Sequence, residues 1–135
     1  MTTQDSLPAT FKEQSSASVR SSQHLPDGMY GVVFRVQGRQ ASGVVVIHGY
    51  KFAGGDSGMA YYGTFAEDGA TLNAHVTTLR HTETGGIALL GADNLEFSAE
   101  GQATRNGAYF TGTARPTGHK FEFTLARLST PGFSV

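Results

Sequence analysis

From Asp27 onward the hydrophobic pattern has a period of two, the repeat of a strand with one face in a core and the other in solvent. "GMYGVVFRVQ" sets Tyr30, Val32, Phe34 and Val36 on one side, with Gly31, Val33 and Arg35 on the other. "QASGVVVIHG" is continuous at its centre and reads as a strand buried on both faces, or one bulged at Gly43. "GMAYYGTF" alternates through Met59, Tyr61, Gly63 and Phe65. A Glu-Asp-Gly hairpin signal follows, after which Leu72, Ala74, Val76 and Thr78 oppose Asn73, His75 and Thr77. The glycine-rich stretch from His81 to Asp93 reads as a loop with room for a short helical or strand piece. Three strands then close the chain, with Leu95, Phe97 and Ala99 inward on the first and Phe121, Phe123 and Leu125 inward on the last.

Seven or eight short strands with turn signals between them and no long crossover predict an all-β fold. The expected architecture is an antiparallel up-and-down β-barrel of about eight strands with a flexible N-terminal tail. Residues 1–26 are rich in Ser, Thr and Gln, and their apolar residues (Leu7, Phe11, Val19, Leu25) are too scattered for a core. They read as the tail, with a short marginal helix around Thr10 to Ser18. The barrel domain spans residues 27–129, and residues 130–135 form a C-terminal tail.

Composition narrows the function classes. The 135 residues fit one domain, and a net charge of −1 gives no basic footprint for nucleic acid. The absence of cysteine removes disulfides, thiolate metal sites and thiol nucleophiles together. No apolar run approaches the ~20 residues of a membrane helix, and the N-terminus has no secretory pattern. A soluble cytoplasmic protein, without nucleic-acid or membrane partners, is the expectation.

The Gly54-Gly55-Asp56 step suggests an anion or metal loop, but its partners are missing. No lysine follows Gly55, a strand rather than a helix comes next, and Asp56 has no carboxylate neighbour within ten residues. It reads as a turn in which the two glycines supply positive φ and Asp56 hydrogen-bonds the backbone two residues on. Five histidines are present, of which His48 and His75 lie on different strands that could bring them together. None shows a ligand pair at short spacing, so no metal or cofactor is expected. Ser57 lacks the Gly-x-Ser-x-Gly elbow of a serine nucleophile, and no catalytic residues are assigned.

Residues 27–129 resemble the family of the type III secretion negative regulator GrlR. The resemblance is carried by "DGMYGVVF", by "GVVVIHGYKFAGGDSGMAYYGTF" with its Gly-Gly-Asp between two strands, and by the histidine-bearing "LNAHV". It implies a bacterial protein with a calycin-like, lipocalin-similar barrel, often dimeric, that represses by binding a transcriptional activator. The family's acidic surface run corresponds to "FAEDGATL", which keeps Glu67 and Asp68 and has Gly69 and Ala70 in the remainder.

Two functions follow as expectations. The first is a non-catalytic regulator and possible homodimer that binds a protein partner through Glu67, Asp68 and an outward Tyr62. The second is a lipocalin-like binder or sensor of a small apolar ligand, held in an interior lined by Tyr30, Phe34, Phe97, Phe110 and Phe123. Inward glycines and alanines among those aromatics (Gly63, Ala99, Ala108, Gly112) are compatible with a hollow or with a tapered, filled barrel. An enzyme, a distant third, would show converging polar groups inside.

Overall fold

The computed structural model describes residues 22–83, 93–115 and 117–135. Eight strands run as β1 (Gly28–Val36), β2 (Arg39–His48), β3 (Lys51–Gly55), β4 (Met59–Asp68), β5 (Thr71–Arg80), β6 (Leu95–Thr104), β7 (Gly107–Thr113) and β8 (Lys120–Arg127). Each pairs antiparallel with its successor, and β1 pairs with β8 from Tyr30↔Arg127 to Arg35↔Glu122, which closes the barrel. The expected fold is therefore present.

Alternation places the core. Tyr30, Val32 and Val36 of β1, Leu72, Ala74 and Val76 of β5, and Phe121, Phe123 and Leu125 of β8 are all buried. On the β6–β8 side phenylalanines fill the interior. Phe110 stacks on Phe123 with centroids 4.8 Å apart, and Phe97 meets Phe121 edge-on at 4.7 Å.

Three expectations are corrected. The continuous Val44–Ile47 run is not buried on both faces: Val45 and Ile47 are inside, whereas Val44 is 41% exposed. The register from Gly28↔Ile47 to Val36↔Arg39 is unbroken, so Gly43 is not a bulge. A hairpin at Gly49, whose φ of 66° suits a residue without Cβ, separates β2 from β3.

The second correction concerns the Gly-Gly-Asp step. Gly54 and Gly55 are the last residues of β3, neither has positive φ, and the turn begins at Asp56. Gly54 is small because the wall is tightly bent there. A Cβ on it would lie 1.9 Å from the Val44 carbonyl oxygen.

The third is the tail boundary. Residues 22–26 belong to the barrel, with Leu25 in the core at 1% exposure and Ser22 buried. Tyr30 Oη donates to the Pro26 carbonyl at 2.6 Å, and Gly49 N–H and the Arg127 guanidinium donate to Asp27. Leu25 thus plugs the end of the barrel where β1 begins. The tail residues 1–21, with the short helix expected there, and residues 84–92 of the His81–Asp93 loop lie outside the described residues.

Candidate functional site

The barrel interior holds a cavity of about 90 Å³. Its lining is almost entirely apolar, with Phe34, Phe97, Phe110 and Phe123 on one side and Val45, Phe52 and Tyr61 on the other. Four of the five aromatic residues expected to line it do so. Tyr30 does not: it is buried at 1% exposure outside the lining, its hydroxyl engaged by Pro26. The volume is smaller than the roughly 150 Å³ that holds a benzene ring, and suits a short alkyl chain of a few carbons.

Around the cavity, β2, β3 and β4 place glycines at inward positions where a neighbour comes too close for a side chain. Gly43 faces the Tyr61 hydroxyl, from which an added Cβ would be 2.5 Å away. A Cβ on Gly63 would lie 1.9 Å from the His75 carbonyl oxygen and 2.9 Å from the Phe52 ring, and Gly54 has only backbone of β2 as its nearest neighbours.

Polar atoms reach the lining at one end only. The turn from β3 to β4 points Asp56 inward, and β4 brings Tyr61 beside it. Asp56 Oδ1 accepts from the N–H groups of Gly58 and Met59 at 2.9 and 2.8 Å, and Oδ2 accepts from the Tyr61 hydroxyl at 2.7 Å. The Asp56 carbonyl accepts from His81 Nε2 at 2.9 Å, so His81 Nδ1 is free to accept from the Thr82 hydroxyl. Burial raises the Asp56 pKa, but the hydrogen bonds from Gly58, Tyr61 and Met59 and the nearby His81 outweigh it, leaving the carboxyl below its ordinary value. Burial and the Asp56 hydrogen bond and charge together raise the Tyr61 phenol far above its ordinary value, so it stays protonated. Thr78 is the third polar contributor to the lining.

Asp56 makes the hydrogen bond two residues on that the turn reading expects, and in addition touches the cavity. Tyr61 was not singled out by sequence. Its signal was spacing: Tyr61 stands five residues beyond Asp56, so a hairpin that turns at Asp56 returns its ring to the same carboxylate.

The surface candidates separate. Glu67 accepts from Ser22 Oγ, from His24 N–H at 3.1 Å and from Tyr50 Oη at 2.9 Å, so it holds the plug segment of its own chain. Burial raises its pKa, and the bonds from Ser22, His24 and Tyr50, with the His24 charge, more than reverse that and lower it. Asp68 is exposed at the end of β4. Tyr62 is 45% exposed on the outer face, and Val44 and Leu79 near it are 41% and 40% exposed. Register aligns them: one outer row runs Val44, Gly55, Ala60, Leu79 and the next Val46, Ala53, Tyr62, Thr77.

His48 and His75 do not meet. His48 pairs with Asp27 at 3.1 Å and His75 with Glu96 at 3.6 Å, on strands separated by two others. Among the described residues no three His, Asp or Glu side chains are grouped to hold a metal ion. No described helix is long and apolar enough to cross a membrane. No protein-family model matches the chain, and no curated protein matches it either.

Proposed function

We propose that this chain is a non-catalytic binding protein whose barrel interior takes a small, mostly apolar ligand. The observation that carries this reading is the apolar cavity of about 90 Å³ with its polar groups confined to one end. Apolar walls supply affinity through desolvation, and a few fixed polar atoms supply orientation. Asp56 and Tyr61 are bonded to each other rather than arranged around a free reacting site, which suits recognition better than catalysis. A cytoplasmic location fits a cysteine-free chain. Native mass spectrometry of protein purified gently from its own host tests the reading. A discrete small added mass that disappears on denaturation is expected, and a bare chain mass overturns it.

A second reading is favoured by the outer rows through Val44, Leu79 and Tyr62, which put apolar side chains of β2, β4 and β5 on one face. It is a protein-binding regulator of the kind the GrlR resemblance implies, bacterial and dimeric, acting as a sequestering partner for a transcriptional activator. The same spectra address it. A mass of twice the chain, or a complex with a second protein that Tyr62→Ser weakens, supports this reading, and a monomer free of protein partners opposes it.

A further inference from the structure

The polar end of the cavity has a definite hydrogen-bonding sense, which identifies the chemistry of its occupant. This inference rests on the reading of the barrel as a small-molecule binder.

An ionised carboxylate only accepts hydrogen bonds, and a phenol has one proton to donate. The Tyr61 proton is committed to Asp56 Oδ2 at 2.7 Å. Toward the cavity, Tyr61 therefore offers only oxygen lone pairs. Asp56 Oδ1 is occupied by the two backbone N–H groups of its turn, so the carboxylate is fixed in position and charge. The remaining polar contributor, the Thr78 hydroxyl, can turn either way. The end of the cavity is thus an acceptor pair carrying one negative charge. Gly43 keeps it so, since a Cβ there would come within 2.5 Å of the Tyr61 oxygen.

We infer that the ligand is a small apolar molecule with a hydrogen-bond donor at its head, an amine ahead of an alcohol, and that a carboxylic acid of the same shape is rejected. A protonated amine gains a charge-assisted bond to the pair and partly neutralises Asp56. An alcohol donates one bond to Tyr61. A carboxylate has no proton to offer and brings a second negative charge beside the first, the arrangement by which binding sites exclude a wrong partner.

Three small compounds of similar size separate these cases: propylamine, propan-1-ol and propionate, each titrated into the full chain at neutral pH. The readout is the methyl NMR signals of Val32, Val45 and Val76, all of which line the cavity. Propylamine is expected to bind most tightly and propionate at least about tenfold more weakly. The Asp56→Asn variant sharpens the test. Its amide oxygen still accepts from Gly58 and Met59, while its NH2 group donates to the Tyr61 oxygen and frees the phenol proton. The order of the three compounds is then expected to collapse or reverse. Propionate binding as tightly as propylamine to the native chain, or an order unchanged in Asp56→Asn, overturns the head-group rule while leaving a binder. If none of the three moves the interior methyl signals, the binder reading itself falls, and the head-group rule with it.

Discussion

On β6 and β7 two inward glycines sit beneath phenylalanine rings: a Cβ on Gly101 would lie 2.7 Å from Phe110, and one on Gly112 would lie 2.6 Å from Phe121. On β2 and β3 the corresponding positions are answered differently. Gly43 faces a tyrosine hydroxyl, and around Gly54 the nearest atoms are all main chain. Both walls use glycine to bend a small barrel, because a Cβ at a corner strikes the neighbouring strand. They differ in what returns to the vacated space. On β6 and β7 a ring returns and the wall is apolar, whereas at Gly43 a hydroxyl returns and the lining is polar at that end. The polarity of each wall is therefore a local choice of residue opposite a glycine, made strand by strand.

Each wall can be broken separately. The largest effect is expected from Phe110→Ala, which removes a ring that is 1% exposed and stacked on Phe123. It should lower unfolding free energy by about 3–5 kcal/mol in urea denaturation. A loss below about 1 kcal/mol would show that the phenylalanine side is loosely filled. Next comes Gly54→Ala on the β2–β3 side, whose added Cβ would meet the Val44 carbonyl oxygen 1.9 Å away. Strain of about 2–3 kcal/mol is expected, with amide shifts concentrated in β2 and β3. If the variant is as stable as the parent, tight bending is not why glycine stands there.

The smallest effect tests the plugged end, where the two walls converge on Leu25. Glu67→Gln puts an amide NH2 among donors from Ser22, His24 and Tyr50 and should cost about 1 kcal/mol, since the site is partly solvated. The pH dependence follows from the lowered pKa of Glu67. A carboxyl that binds its proton less readily when folded stabilises the fold above its ordinary value of about 4.5, and that contribution is lost as pH falls through the folded value. The difference between native chain and Glu67→Gln should accordingly be full at neutral pH and shrink on acidification below that value. A difference independent of pH would mean the carboxylate charge contributes nothing.

Much of this was legible in the sequence, and the exceptions share a cause. Alternation along β5, β6 and β8 located inward faces correctly because mostly polar residues there occupy the outer side. It failed at Val44–Ile47, where the outer face is itself apolar and the period vanishes although the strand is ordinary. Gly54 and Gly55 looked like turn residues because sequence records the absence of a side chain without its reason, which at Gly54 is a neighbour's carbonyl. Leu25 looked isolated because its contacts are remote: its segment is held by Glu67, and nothing local to a Ser-rich stretch reveals that. The acceptor pair was half visible. Asp56 stood out as a turn residue, whereas Tyr61 belonged to a crowd of aromatics until the hairpin brought it back.

Closure of the barrel has a consequence for the order in which the chain can fold. Seven of the eight strand pairings join consecutive strands, and the eighth joins β1 to β8. At that seam the Arg127 side chain meets the Asp27 carbonyl across 100 residues of sequence. During synthesis each hairpin can form as it emerges, but β1 keeps a bare row of N–H and C=O groups until the last strand arrives. The growing chain is an open, sticky sheet for nearly its whole synthesis, and its exposure to wrong pairing ends only when β8 docks.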